Sequence, residues 1–203
     1  MPNFYGEDIA TVEQITSAFR RHGDAARSAY RARYVYDGRS RDLYSCTTLE
    51  RPASMLGNPP GRTFPWEQIF VAAADCAGSD YPMLASHLGV PIERVEFLVE
   101  GVFDPRGEFD GLAGFEAPAD AARCYLSLHV RAQLTSRAPR QALEAIHERV
   151  IARNMVLGAL RGIPLTHELE IERQEAIVPP ARDVTPARDG SDLANRRVRN
   201  DVT

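Results

Sequence analysis

Residues 69–78 are apolar in almost every direction around a helical axis, and Asp75 is their one charged member. A helix that is apolar on all sides must be enclosed by protein. The tripeptide Pro-Trp-Glu that ends at Glu67 suits the first turn, because proline is tolerated there and the carboxylate complements the positive end of the helix dipole. The sequence therefore predicts a long helix at the centre of the fold.

The end of this central helix is marked by Gly89, a residue typical of helix C-caps, and by Pro91 beyond it. These two residues predict that the helix runs to about Leu88. Pro82 lies inside the predicted helix, where proline produces a kink or removes a backbone hydrogen bond.

Helices and strands are partly segregated among the other predicted elements. They are a helix over 7–28, a hairpin of strands 30–36 and 41–49 with a type I′ turn at Asp37-Gly38, strands over 95–103 and 124–134, an amphipathic helix over 139–152, a short helix over 154–160 and a strand over 165–171. This order favours an α+β fold over a repeated βαβ pattern.

A chain of 203 residues is long enough for one substantial core with extensions. We predict an N-terminal helical extension over 1–28, one domain over 29–173, and a disordered tail over 174–203, where the sequence is polar, rich in proline and charge, and without periodicity.

Charge and composition exclude several functions. A net charge of −4 and a pI near 5.8 argue against a nucleic-acid surface. All 24 basic residues are arginine, so no lysine can form a Schiff base. The five histidines lack the spacing of a metal site, and His147 is expected on the exposed side of its helix. We therefore expect no metal, and we expect no cofactor, since no phosphate-binding motif is present.

The cysteines point to a reducing compartment. Cys46, Cys76 and Cys124 are too few and too scattered for a disulfide framework or a CxxC metal site. No signal peptide is visible at the start of the sequence, and the apolar run at about 69–78 is too short to span a bilayer. The sequence predicts a cytoplasmic protein with free thiols and no membrane partner.

Several motifs occur in a fixed order over about residues 30–172. They are Tyr-Asp-Gly-Arg in the hairpin, a polar loop, Pro-Trp-Glu, Ala-Ala-Ala-Asp-Cys, Leu-Gly-Val-Pro-Ile, Arg-Asn-Met-Val and Gly-Ile-Pro-Leu-Thr-His-Glu-Leu. In this order and spacing they resemble the OsmC/Ohr family of thiol-dependent organic hydroperoxide reductases. The resemblance implies an OsmC-like intertwined homodimer, with long central helices packed between antiparallel sheets and active sites at the subunit interface.

The resemblance also implies roles for individual residues. Cys76 matches the nucleophile that attacks the peroxide O–O bond as a thiolate, and Glu67 matches the glutamate that orients an arginine. We assign that arginine to Arg51; Arg62 is the alternative, because the loop before the helix is longer than in shorter family members. A free thiol has a pKa near 8.5, so a nearby guanidinium is what ionises such a cysteine at neutral pH.

The spacing of Glu67 and Cys76 agrees with a dimer. Nine residues of helix separate them, which places their side chains on opposite sides and about 13 Å apart along the axis. One straight helix cannot bring both to one site. A dimer in which Cys76 of one chain meets Glu67 of the other would bring the two side chains to one site, as in the family arrangement.

Asn154 departs from the family pattern. It occupies the position of the second, resolving cysteine, where it can cap a helix but cannot form a disulfide. A sulfenic acid on Cys76 would therefore lack its usual internal partner, and nothing in the sequence places Cys46 or Cys124 nearby. Asp75 is a second departure, because a carboxylate beside a thiol disfavours the thiolate unless it points away or is paired.

Three hypotheses follow. In the first, the protein reduces an organic hydroperoxide, or another small apolar substrate, through Cys76 alone, and an external thiol restores the cysteine. In the second, it is a non-peroxidatic relative that binds a small molecule or uses a repurposed pocket. In the third, residues 1–28 or the tail over 174–203 recruit a partner.

Overall fold

The structure is a computed structural model that describes residues 9–38, 43, 47–51, 65–122 and 124–173. Its helices and strands follow the chain as α1 (Ile9–His22), β1 (Ser28–Tyr36), β2 (Thr47–Glu50), α2 (Pro65–Leu88), β3 (Arg94–Phe103), β4 (Tyr125–Ser136), α3 (Arg140–Arg153), α4 (Met155–Ala159) and β5 (Leu165–Arg173). Short 3-10 turns follow α1 and connect β3 to β4. The predicted α+β class is confirmed. The predicted tail over 174–203 lies outside the described residues.

The strands form one mixed sheet in the order β2-β1-β3-β4-β5. β1 and β3 pair antiparallel, as do β3 and β4, whereas β5 runs parallel to β4 after the crossover through α3 and α4. β3 lies in the middle of the sheet, and every second residue from Val95 is buried. The buried positions of that alternation are Val95, Phe97, Val99, Gly101 and Phe103.

The central helix α2 begins and ends where the sequence predicted, at Pro65 and Leu88. It continues through Pro82, and Gly89 follows with a φ of 66°, in the left-handed region that glycine tolerates. α2 packs closely on the sheet at Gly78, because a Cβ at that position would lie 2.3 Å from the ring of Tyr34 on β1. The small residues of α2 thus let the helix approach the sheet.

The β1–β2 pairing differs from the predicted hairpin. A two-residue turn at Asp37-Gly38 would pair Tyr34 with Arg41, but Tyr34 pairs with Thr47 instead. The described part of the return strand covers Thr47–Glu50, and residues 41, 42 and 44–46 of the predicted strand over 41–49 lie outside the described residues. Register is set by what the strand side chains contact as well as by the turn. Here β2 places Thr47 beside α2.

α1 packs on the connection between β3 and β4. Phe19 is buried against Phe109 and Phe115 in a small apolar cluster separate from the main core. The predicted helix over 7–28 is shorter, because α1 ends at His22 and a 3-10 turn over Gly23–Ala26 follows it.

A buried charge network lies beneath α1. Asp104 is completely buried and accepts hydrogen bonds from Arg27 (3.1 Å) and from the backbone and guanidinium of Arg106 (2.8–3.3 Å). Arg106 also donates to Asp24, just beyond α1. Although burial acts in the opposite direction, the hydrogen bonds from Arg106 and Arg27 hold the pKa of Asp104 below its usual range.

None of the helices in the described part of the chain has the length and apolar character needed to cross a membrane.

Candidate functional site

Cys76 lies midway along α2, half-buried, on the side that faces the start of α4. Its Sγ is 3.2 Å from Nδ2 of Asn154. The same nitrogen donates to Oδ2 of Asp80 at 2.8 Å. Since Cys76 and Asp80 are four residues apart, they lie on one face of α2. One amide thus contacts both the thiol and a carboxylate.

Asn154 is fixed in this position by α4. Its Oδ1 accepts hydrogen bonds from the backbone N–H groups of Val156 and Leu157, each at 3.0 Å, and the residue is 3% exposed. These bonds confirm the predicted N-cap. The position that resembles the family's resolving cysteine therefore does contact the thiol of Cys76, through an amide.

Glu67 lies on the first turn of α2 and is completely buried. Its Oε1 is 2.9 Å from Nε of Arg51, which directly follows β2 and whose side chain is 25% exposed. Arg51 is thus the arginine that the structure pairs with Glu67. Arg62, the alternative, lies outside the described residues.

Two pairs are therefore assembled, Arg51 with Glu67 and Cys76 with Asn154. Along an unbroken helix, Glu67 and Cys76 project to opposite sides about 13 Å apart, as their spacing predicts. Neither pair alone combines a thiol with a guanidinium.

The carboxylate of Asp75 accepts a hydrogen bond from the hydroxyl of Thr47 on β2. It is therefore paired on the β2 side of α2. Asp80 is instead the carboxylate that shares a partner with Cys76, and the sequence analysis missed it. Its spacing of one helical turn after Cys76 was the available signal.

The prediction that His147 is a surface residue is wrong. It is 4% exposed, with Nδ1 2.7 Å from the hydroxyl of the buried Tyr81 and Nε2 3.1 Å from Nδ1 of His167. Burial, and then the neighbouring His167, lowers the pKa of His147 to about 4. The available signal was helical spacing itself, because His147 shares one face of α3 with the buried Leu143, Ile146 and Val150.

Cys124 directly precedes β4, with a φ of 58°. It lines a groove of about 360 Å³ with residues that are mostly apolar: Pro65, Trp66, Ile69, Phe103, Glu108 and Tyr125. Burial, and then the charges of Glu108 and Asp104, raises the pKa of this thiol. These surroundings favour the neutral thiol. Cys46 lies outside the described residues.

No family model matches this chain, and no curated protein matches it. Similar solved structures include an OsmC-like protein from Mycoplasma pneumoniae, 11% identical, which covers 70% of this chain and 96% of that chain with a TM-score of 0.44. An OsmC-like hydroperoxide resistance protein from Jannaschia sp. CCS1 is 13% identical and covers 67% and 87%, with a TM-score of 0.45. The organic hydroperoxide resistance protein OsmC from Legionella pneumophila is 15% identical and covers 68% and 94%, with a TM-score of 0.40.

These proteins carry the family name that the sequence motifs suggested.

Proposed function

We propose that this protein is an OsmC/Ohr-like, thiol-dependent reductase of organic hydroperoxides, with Cys76 as its single reacting group. The observation that carries the proposal is the ion pair between the buried Glu67 and Arg51. A buried carboxylate is costly unless it is paired. Glu67 meets that condition by holding a guanidinium that remains partly exposed, as an arginine that binds an anionic group must be.

The working unit in this proposal is a homodimer. Arg51 and Glu67 of one chain would meet Cys76 of a second copy, because helix geometry separates Glu67 from Cys76 within one chain. The guanidinium would then stabilise the thiolate and hold the peroxide. Each chain would contribute to two equivalent sites.

The chemistry needs only the thiol, the arginine and an external reductant. The Cys76 thiolate attacks the terminal oxygen of ROOH, the O–O bond breaks, and the alkoxide takes a proton to leave as ROH. The sulfur is oxidised to a sulfenic acid. A first external thiol attacks that sulfur and releases water, which leaves a mixed disulfide. A second external thiol releases Cys76 and leaves as the disulfide of the reductant.

The surroundings of Cys76 support an organic substrate. Ala72, one turn earlier on α2, is exposed, and Met83, two turns later, is 48% exposed. Met155, the first residue of α4, is 79% exposed. Apolar side chains on both elements that flank the thiol favour an alkyl or aryl hydroperoxide over hydrogen peroxide.

A second candidate function is a non-peroxidatic relative that binds a small molecule in the same place. The observation in its favour is Asp80, whose carboxylate shares Asn154 with Cys76. A negative charge near a thiol opposes the thiolate that peroxide reduction needs.

We further propose that residues 29–173 form the catalytic unit and that the protein acts in the cytoplasm. Residues 1–28 would be an extension of this unit. The third hypothesis is that residues 1–28 or 174–203 recruit a partner. If deletion of residues 175–203 changes neither the activity nor any partner, the tail does not have this role.

The test is stopped-flow oxidation of the reduced protein by cumene hydroperoxide and by hydrogen peroxide. We expect rapid oxidation that is faster with the organic peroxide, lost in Cys76→Ser and retained in the matched variant Cys124→Ser. A rate no better than that of a free thiol would overturn the peroxidase proposal in favour of a repurposed pocket.

A further inference from the structure

We infer that Asn154 is a positioning residue that raises the reactivity of the Cys76 sulfur by donating to it and, after oxidation, holds the sulfenate oxygen in place of a disulfide partner. The second half of this inference rests on the proposed function. The first half concerns the reduced protein and stands without it.

The orientation of the amide is determined by its partners. Oδ1 accepts from two backbone N–H groups of α4, so it is the acceptor end that faces the helix. Nδ2 must then face α2, where it meets Cys76 Sγ at 3.2 Å and Asp80 Oδ2 at 2.8 Å. An amide nitrogen has two hydrogens, and each therefore has one acceptor. A flipped amide would lose all four contacts.

The contact gives the sulfur a fixed hydrogen-bond donor. A neutral thiol is a weak hydrogen-bond acceptor, whereas a thiolate accepts strongly, so a fixed N–H donor stabilises the thiolate more than the thiol. Asp80 acts in the opposite direction through its charge, but it also takes the second amide hydrogen and so prevents the amide from rotating. Asn154 thus lies between the sulfur and the carboxylate and donates to both.

Oxidation changes what the amide can do. A cysteine at position 154 could attack the sulfenic sulfur, but an amide carries no nucleophilic sulfur. The N–H group can instead donate to the new oxygen. The sulfenate then persists until an external thiol attacks it with release of water. In the absence of that thiol, a second ROOH transfers an oxygen to the sulfur and leaves as ROH, which yields the sulfinate.

Two variants retain the helix cap and remove the donor. Asn154→Asp keeps the shape and the capping oxygen, but replaces the NH₂ group by a second oxygen. Asn154→Ser caps well and is too short to donate in the same way. Both are made in a background with Cys46→Ser and Cys124→Ser, so that Cys76 is the sole thiol. Circular dichroism and thermal unfolding establish that each variant folds.

The first measurement needs no peroxide. The rate of alkylation by iodoacetamide is followed from pH 5 to 9, together with thiolate absorbance at 240 nm. At pH 7 we expect alkylation to fall about tenfold in Asn154→Asp and about threefold in Asn154→Ser, because each variant lacks the donor to the sulfur. Folded variants whose profiles match that of the parent would overturn the inference.

The second measurement follows the oxidised form. The protein is treated with one equivalent of cumene hydroperoxide. Sulfenate is then trapped with dimedone, and mass spectrometry quantifies the trapped sulfenate and the sulfinate over time. We expect the sulfenate of the parent to outlast that of Asn154→Ser, and equal lifetimes would overturn the second half of the inference. If alkylation falls in the variants but the parent forms no sulfenate, the proposed function fails and the first half of the inference stands.

Discussion

Oε1 of Glu67, completely buried on the first turn of α2, lies 2.9 Å from Nε of Arg51 at the end of β2. The contact joins the start of the central helix to the edge strand of the sheet. It also fixes the direction in which a partly exposed guanidinium points.

Glu67→Gln removes the charge that orients Arg51. Because a misplacement of about 1 Å in a catalytic group costs about 100-fold in rate, we expect peroxide oxidation of Cys76 to slow by that order. Stopped-flow kinetics measure the effect. Glu50→Gln is the matched control, since Glu50 is an exposed carboxylate on the same strand, and it should leave the rate unchanged.

Arg51→Ala should cause a loss similar to that of Glu67→Gln, because it removes the guanidinium itself. Arg62→Ala distinguishes the two candidate arginines in the same assay. A large loss in Arg62→Ala with none in Arg51→Ala would contradict the assignment of Arg51 and select Arg62.

Gly78→Ala should destabilise the fold, by about 3 kcal/mol in the free energy of unfolding. The new Cβ would lie 2.3 Å from the Tyr34 ring, in the contact between α2 and β1. Urea unfolding measures the change. The matched control is Gly158→Ala in α4, where a Cβ meets no atom within 4 Å. Higher helix propensity should make that variant neutral or more stable by up to about 1 kcal/mol.

The buried His147 should make stability depend on pH. Its folded-state pKa of about 4 lies below the ordinary 6.5, so the neutral ring stabilises the fold fully above pH 6.5. This contribution, about 3 kcal/mol, is lost as the pH falls from 6.5 towards 4. Urea unfolding at several pH values should show a flatter profile in His147→Gln. His129→Gln, at a more exposed histidine on β4, should keep the parent profile; an equal flattening would contradict the assignment.

Asp104→Asn should loosen the contact between α1 and the domain. It removes the buried carboxylate partner of Arg106, which is 4% exposed and keeps its contact with the exposed Asp24, and removal of one partner of a buried pair costs about 3–5 kcal/mol. Because the folded-state pKa of Asp104 is lowered, its contribution is present at neutral pH and is lost in acid, below the ordinary carboxyl pKa. Thermal unfolding at pH 7 measures the loss, and Asp120→Asn, at a mostly exposed carboxylate of the same network, should change little.

The elements of this fold that were predictable from sequence carry their own boundary signals. α2 was predicted from Pro65 to Leu88, because proline and glycine lie at its two ends. The cap at Asn154 was predictable for the same reason, since the residue type and its position before a short apolar helix suffice.

Contacts between distant segments were not predictable in this way. The pairing of Tyr34 with Thr47 depends on what β2 contacts on α2, and the turn residues alone favoured a different register. Helical spacing places His147 on the buried face of α3, but its contacts with Tyr81 of α2 and His167 of β5 join segments that are distant in the chain. Asp80 could be placed near Cys76 by helical spacing, but only the fold brings Asn154 to both.

Asn154 follows Cys76 by 78 residues, and β3, β4 and α3 lie between them. At about 5–20 residues per second, a ribosome needs about 4–16 s to add that length. During synthesis the thiol therefore exists for seconds before the amide that contacts it has been made. The contact can form only after α3 has been synthesised, so a nascent chain that ends before residue 154 lacks the properties that Asn154 gives to this sulfur.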